Sequence, residues 1–205
     1  NNGGDFGLGG FYGGYNQTVS FNNSYVAVGA PREGSDKGAV YVYDVVNSAS
    51  VVSFSQKLVA NTYTGSTNGD GQFGFAVKVL SDNTVIVSDR YARGTENNDS
   101  QGGRVFHINL SDGSLIKEFT AVNQQYNLSF GYSLAVSGDS LFVGSRGKGV
   151  QEFSISTGSF VKSYSPVDAD ADNAFGDWIT VVNGYLISGN SQRPYLFVHN
   201  VSTGN

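Results

Sequence analysis

Phe130-Gly-Tyr-Ser-Leu-Ala-Val-Ser-Gly-Asp-Ser-Leu-Phe-Val-Gly-Ser145 is the stretch that decides the fold of this chain. A run of strand-forming residues reaches Ser137, Gly138-Asp139 reverses the chain, and a second such run follows, so the stretch reads as a β-hairpin. Phe73-Gly-Phe-Ala-Val-Lys-Val-Leu-Ser-Asp-Asn-Thr-Val-Ile-Val-Ser88 repeats it with a longer turn beside Asp82-Asn83. Phe175-Gly-Asp-Trp-Ile-Thr-Val-Val-Asn-Gly-Tyr-Leu-Ile-Ser-Gly189 repeats it again, with Asn183-Gly184 as a strong hairpin signal. A looser copy spans Tyr15 to Pro31, with Tyr15-Asn16 where the others carry Phe-Gly.

A third strand is expected after each hairpin, at Gly38–Asp44, Gly103–Asn109, Gly149–Ser154 and Pro194–Asn200, and three of these run into turns ending at Gly113, Gly158 and Gly204. A fourth strand is expected at Val52–Val59, Leu115–Ala121 and Phe160–Ser165, and none follows the last unit. A lone four-stranded sheet buries its faces poorly, so units of this kind must stack. The expected fold is all-β and β-propeller-like, with about four four-stranded antiparallel blades and essentially no helix. The repeats fall near residues 15–60, 73–121, 130–165 and 175–204, after a glycine-rich N-terminal arm of residues 1–14.

Composition narrows the function. The chain has 205 residues and a formal net charge of -5, so it carries no excess of cations with which to neutralise a nucleic acid. Charged residues make up 14%, below the roughly 25% of ordinary soluble domains, while 39% hydrophobic and 13% aromatic residues suffice for a core. Cysteine is absent, which removes disulfides, thiolate metal sites and cysteine nucleophiles. No run of apolar residues is long enough for a membrane span. Asn1 in place of an initiator methionine is expected for a processed chain or a segment of a longer one.

Phe-Gly opening a strand, Val-Ala-Val-Gly-Ala-Pro31 closing the next and Gly-Ala-Val-Tyr-Val-Tyr43 after it resemble FG-GAP repeats, the blades of the integrin α-subunit propeller and of many secreted proteins. The resemblance extends from about Tyr15 onward, but Gly-Ala-Pro occurs once and four units are fewer than the seven usual in that family. It implies an extracellular adhesion or scaffold module. The integrin blades carry a calcium loop between their first two strands, whereas here a short turn such as Ser137-Gly138-Asp139 fills that place, which matches the calcium-free branch.

Several residues have both a functional and a plain reading. Asp168, Asp170 and Asp172 alternate like the start of a calcium loop, but Asn173 stands where glycine turns the loop and Ile179 where a bidentate Glu belongs. Calcium is therefore the one cofactor in view, and an acidic connection between blades is the alternative. His107 and His199 lie on third strands one residue out of register and point to opposite faces; no acid–base or metal constellation accompanies them, so no enzymatic activity is expected. Arg90, Arg93, Arg146 and Arg193 follow second strands and either ring one face, ready for carboxylates or acidic sugars, or pair with Glu33, Asp36, Glu96 and Asp99.

Asn-x-Ser/Thr sequons begin at Asn16, Asn22, Asn98, Asn109, Asn127 and Asn200, and either mark glycosylation in a secreted protein or reflect composition. In the arm, Phe6, Leu8, Phe11 and Tyr12 are out of place in a flexible linker. They point to a segment that seats in a groove, or to the remnant of a connection between blades. The leading functional reading is a non-catalytic extracellular module that self-associates, into a fibre if the contact does not close, or binds another extracellular protein. A lectin-like propeller that binds glycans is the alternative.

Overall fold

The computed structural model describes residues 17–46, 51–64, 71–92, 102–122, 128–146, 148–166, 175–189 and 196–204. They form four antiparallel sheets in chain order. Blade A holds β1 (Val19–Phe21), β2 (Tyr25–Ala30), β3 (Ala39–Val46) and β4 (Val51–Val59). Blade B holds β5 (Phe73–Val79), β6 (Thr84–Asp89), β7 (Arg104–Asn109) and β8 (Leu115–Phe119). Blade C holds β9 (Phe130–Ser137), β10 (Ser140–Ser145), β11 (Gly149–Ser154) and β12 (Phe160–Tyr164). Blade D has three strands, β13 (Trp178–Val182), β14 (Tyr185–Gly189) and β15 (Leu196–Asn200).

This is the all-β, four-unit architecture expected from the repeats, including a last unit of three strands. Among the described residues helix is confined to two four-residue turns, α1 (Glu33–Asp36) and α2 (Asn61–Thr64). Gly34 and Ser35 inside α1 have positive φ, so it is a compact loop and not a helix. The hairpins turn as their sequences require: Asn183 and Gly184 both have positive φ, as a two-residue turn of type I′ demands. In the longer turn of blade B, the Asp82 carboxylate accepts hydrogen bonds from the Thr84 N–H and hydroxyl.

Three apolar cores lie between successive blades. Ala27, Val40, Val42 and Leu58 of blade A pack on Phe73, Val77, Val87 and Phe106 of blade B. Ala76, Ile86 and Phe119 of blade B meet Phe130, Leu134 and Phe153 of blade C. Ala135, Phe142 and Tyr164 of blade C meet Phe175, Ile179 and Leu186 of blade D. The aromatic residues that open the repeats, Phe73, Phe130 and Phe175, therefore sit at the blade interfaces.

The glycine that follows each has a different task. Gly74, Gly131 and Gly176 have φ of +85°, +88° and +90°. A Cβ at Gly74 would stand 2.5 Å from the Ala39 carbonyl oxygen, and one at Gly131 2.7 Å from the Ser88 Cβ. Each inner strand thus enters pressed against the preceding blade, where only glycine fits.

Candidate functional site

The inner strands of the blades converge near Gln17, the residue of blade A that corresponds to Phe75, Tyr132 and Asp177 after the Phe-Gly pairs. Its carbonyl accepts from Val77 N–H at 2.8 Å. Its side-chain oxygen accepts from Leu134 N–H at 3.0 Å, and its amide donates to the Ile179 carbonyl at 3.4 Å. One side chain of blade A thereby touches blades C and D. Sequence comparison hides this role, because glutamine stands here where the other units have Phe, Tyr and Asp.

Arg90 and Arg146, two members of the expected arginine ring, do approach one another on the strand-entry side. The Arg90 guanidinium lies 3.9 Å from the centre of the Phe75 ring and 4.3 Å from that of Tyr91, and its Nε donates to Gln72 Oε1 at 2.7 Å. Arg146 stands 5.7 Å from the centre of Tyr132 and 3.9 Å from Asp177 Oδ1. Among the described residues these cations are engaged by aromatic faces and by an aspartate on the next blade, and of the acids expected for them Glu96 and Asp99 lie outside the described residues. Glu33 pairs instead with Lys57, and Asp36 with Arg32 at 3.6 Å. Arg93 and Arg193 lie outside the described residues. The cluster stitches blades B, C and D together.

The two histidines pack. His107 Nε2 is 2.7 Å from Thr84 Oγ1. The His199 ring stacks on Tyr164 at 5.9 Å and tilts against Phe175 at 5.5 Å, in the core between blades C and D. Burial lowers the pKa of both. His107 pairs with Ile86 and His199 with Leu186, which sets them on opposite faces of their blades, as their registers implied.

Among the described residues Asp89 carries the most displaced acid. Its residue is 2% exposed. Burial pushes its carboxyl up to about 7, against the pull of Arg104 and of the Tyr91 and Ala92 backbone N–H groups. Arg104 is itself 3.0 Å from Glu118. Nothing in the pattern of repeats signalled this position, where the other units have Ala30, Ser145 and a residue outside the description.

The sequons divide. Asn109 Oδ1 accepts from the Ser111 N–H and hydroxyl, and Asn200 Oδ1 from those of Ser202. In both, Asn-x-Ser is the chemistry of the turn after the third strand. Asn22 spends its amide on Leu80 O and Asn83 Oδ1, at 2.7 and 3.2 Å. Asn16, Asn98 and Asn127 lie outside the described residues, as do the calcium candidates Asp168, Asp170 and Asp172 and the arm with Phe6, Leu8, Phe11 and Tyr12.

The terminal blades are the most unusual feature. Among the described residues no apolar core joins blade D to blade A. Register places Val19, Phe21, Tyr41, Tyr43 and Phe54 on the face of blade A that turns away from blade B. Phe21 is 74% exposed and Phe54 59%. Register likewise places Trp178, Val182, Tyr185, Leu196 and Val198 on the face of blade D that turns away from blade C. Leu196 is 62% exposed and Val198 53%. Among the described residues β15 pairs with β14 alone, whereas β3, β7 and β11 are each paired on both sides. Apolar residues on both faces of β13 to β15, among them Trp178, Ile179, Tyr185, Leu186, Leu196 and Phe197, were the available signal that both faces of this blade are sticky.

Neither a family model nor a curated protein matches this sequence. Solved structures do match in fold. The computationally designed Ika4 protein is similar over 95% of both chains with a TM-score of 0.60 at 13% identity. The computationally designed Ika8 protein is similar over 89% of this chain and 45% of its own, with a TM-score of 0.58 at 12% identity. The chain is β-propeller-like, with one of its four sheets three-stranded. No helix among the described residues is long and apolar enough to cross a membrane.

Proposed function

We propose that this chain is a non-catalytic structural and adhesion module of the extracellular space that assembles head to tail, blade D of one copy stacking on blade A of the next. The observation that carries this reading is the pair of bare apolar faces at the two ends of the blade stack. Within the chain, blades adhere through aliphatic and aromatic side chains, and the same kinds of side chain stand exposed on both terminal faces. Every copy holds both halves of the contact, so the association is heterologous: it makes a ring if the rotation closes and a fibre if it does not. A net charge of -5 opposes association only weakly. The Gly-rich arm precedes Gln17, whose side chain bonds to blades C and D. Phe6, Leu8, Phe11 and Tyr12 add the contact at the open β15 edge of the neighbouring copy by strand addition. The Phe-Gly strand entries, which resemble FG-GAP repeats, support the adhesion role.

Light scattering over a range of concentrations tests the assembly. The expected result is a mass above that of one chain that falls on dilution, and falls further in Leu196→Lys/Val198→Lys. Deleting residues 1–14 is expected to weaken the assembly as well. A single-chain mass at every concentration overturns the reading. Unchanged assembly after the deletion removes the arm from it.

The extracellular assignment has its own test. Asn109 and Asn200 are expected to carry glycans, because their side-chain amide nitrogens have no partner among the described residues and both lie at strand ends. Intact mass of natural-source material should drop on deglycosylation, and an unchanged mass refutes the modification.

A further inference from the structure

At each junction within the chain, the strand-entry glycine of one blade rests on a small residue of the blade before it. A Cβ added at Gly29 of blade A would stand 2.0 Å from the Gly74 carbonyl oxygen of blade B, and one at Gly144 of blade C 2.3 Å from that of Gly176 in blade D. Between blades B and C the pair is Ser88 and Gly131. The inner strand beside this seat also carries a small residue, Thr18, Ala76 or Ser133, three positions after the entry aromatic. The Ser133 hydroxyl donates to the seated Gly176 carbonyl at 2.7 Å.

Blade D departs from this pattern. Gly189 occupies the seat, but its partner on the inner strand is Trp178, and a Cβ at Gly189 would meet the indole at 2.8 Å. The indole lies where the other blades hold the backbone of their successor. Leu196, paired with Gly189, is exposed, while its counterparts Val40, Val105 and Val150 are fully buried. Blade A departs in the matching half. It opens on Tyr15-Asn16 where the other blades open on Phe-Gly. A Cβ at Gly74 would stand 2.5 Å from the Ala39 carbonyl oxygen, so a residue with a side chain cannot enter a junction of the interior kind. Val19 of blade A is exposed, while its counterparts Val77, Leu134 and Ile179 are buried. The blade with a filled seat and the blade without an entry glycine are thus the two ends of one chain.

We infer that Trp178 anchors the contact between copies, its indole packing on the Val19 and Phe21 face of blade A in a second copy of this chain, in place of a seated glycine. The inference rests on the head-to-tail assembly proposed above and adds the residue that fixes its geometry. Blade A is the partner that fits, because blades B, C and D each enter on a glycine whose seat the indole fills. Neither face brings an uncompensated charge to the contact. The described strands of blade D present none on this side, and Lys57 on the face of blade A is paired with Glu33. A large aromatic desolvated at the centre of such a contact carries much of its free energy.

Trp178 is the one tryptophan of the chain, so intrinsic fluorescence of the full chain reads this contact. Its emission is expected to move to shorter wavelength as concentration rises, with the same midpoint as the mass measured by light scattering. Trp178→Ser, which restores the small residue of blade C, should weaken association about tenfold or more, and Trp178→Phe should keep it within about threefold. Association of Trp178→Ser as tight as that of the unaltered chain overturns the inference, since the indole would then contribute nothing to the contact. Assembly without a change in emission overturns it too, and leaves the head-to-tail reading standing. A single-chain mass at every concentration removes both. The emission of the unaltered chain decides the matter even if a variant fails to fold.

Discussion

Truncating Phe130 to alanine is expected to cost roughly 3–5 kcal/mol of folding stability, the usual range for a buried aromatic whose cavity cannot collapse. The side chain is fully buried between blades B and C. Its ring meets Phe153 edge to face at 5.8 Å, and Phe153 in turn meets Phe119 at 5.7 Å, so the loss reaches the outer strand of blade B. The neighbouring Gly131 is held against Ser88 and Val105, which prevents β9 from sliding inward to fill the space. Denaturant unfolding of the variant measures the loss, and a change below about 1 kcal/mol would mean that the blades do not adhere through this core. Phe21→Ala is the informative contrast. That side chain is exposed on the bare face of blade A, so its truncation should leave unfolding within about 0.5 kcal/mol while weakening self-association.

The second large effect is a dependence on pH centred on Asp89. Its folded pKa, raised to about 7 by burial, lies above the ordinary aspartate value of 3.8. Between those values the folded state binds the proton and the unfolded state does not, so stability falls as pH rises from about 4 through about 7 and levels off above. A shift of about three pKa units corresponds to about 4 kcal/mol at most. Asp89→Asn removes the titration. The drop in unfolding free energy from about pH 4.5 to pH 8 should therefore be smaller in the variant by about 3–4 kcal/mol. Glu33, Asp112 and Asp139 shift the opposite way, toward lower pKa, and lose their contribution in acid. Both proteins share that loss, so it cancels in the difference. Parallel pH profiles for the two proteins would show that Asp89 is ionised in the folded state at every pH tested.

Local chemistry determined the strands and their turns. Asn183-Gly184 can hardly do anything but reverse a hairpin, and Val85, Ile86 and Val87, buried on both faces, read as a short apolar run. Phe-Gly recurs at three strand entries, and the packing sets each Phe in a blade interface. The reason for the glycine was not legible, because it lies in the carbonyl and side-chain atoms of the preceding blade. Spacing could suggest an arginine ring, but only the packing showed Arg90 covered by Phe75 and Tyr91, and Arg146 drawn to Asp177. The candidate sites depend on the tertiary structure for the same reason. Asp89 is an ordinary strand end until burial strips its water. The bare faces of blades A and D are likewise a property of the stack, since a repeat in sequence does not say which copies find a neighbour on both sides. Strand and turn propensities act over a few residues and are written in them; desolvation and adhesion are set by atoms far apart in the chain, and only the assembled fold brings those together.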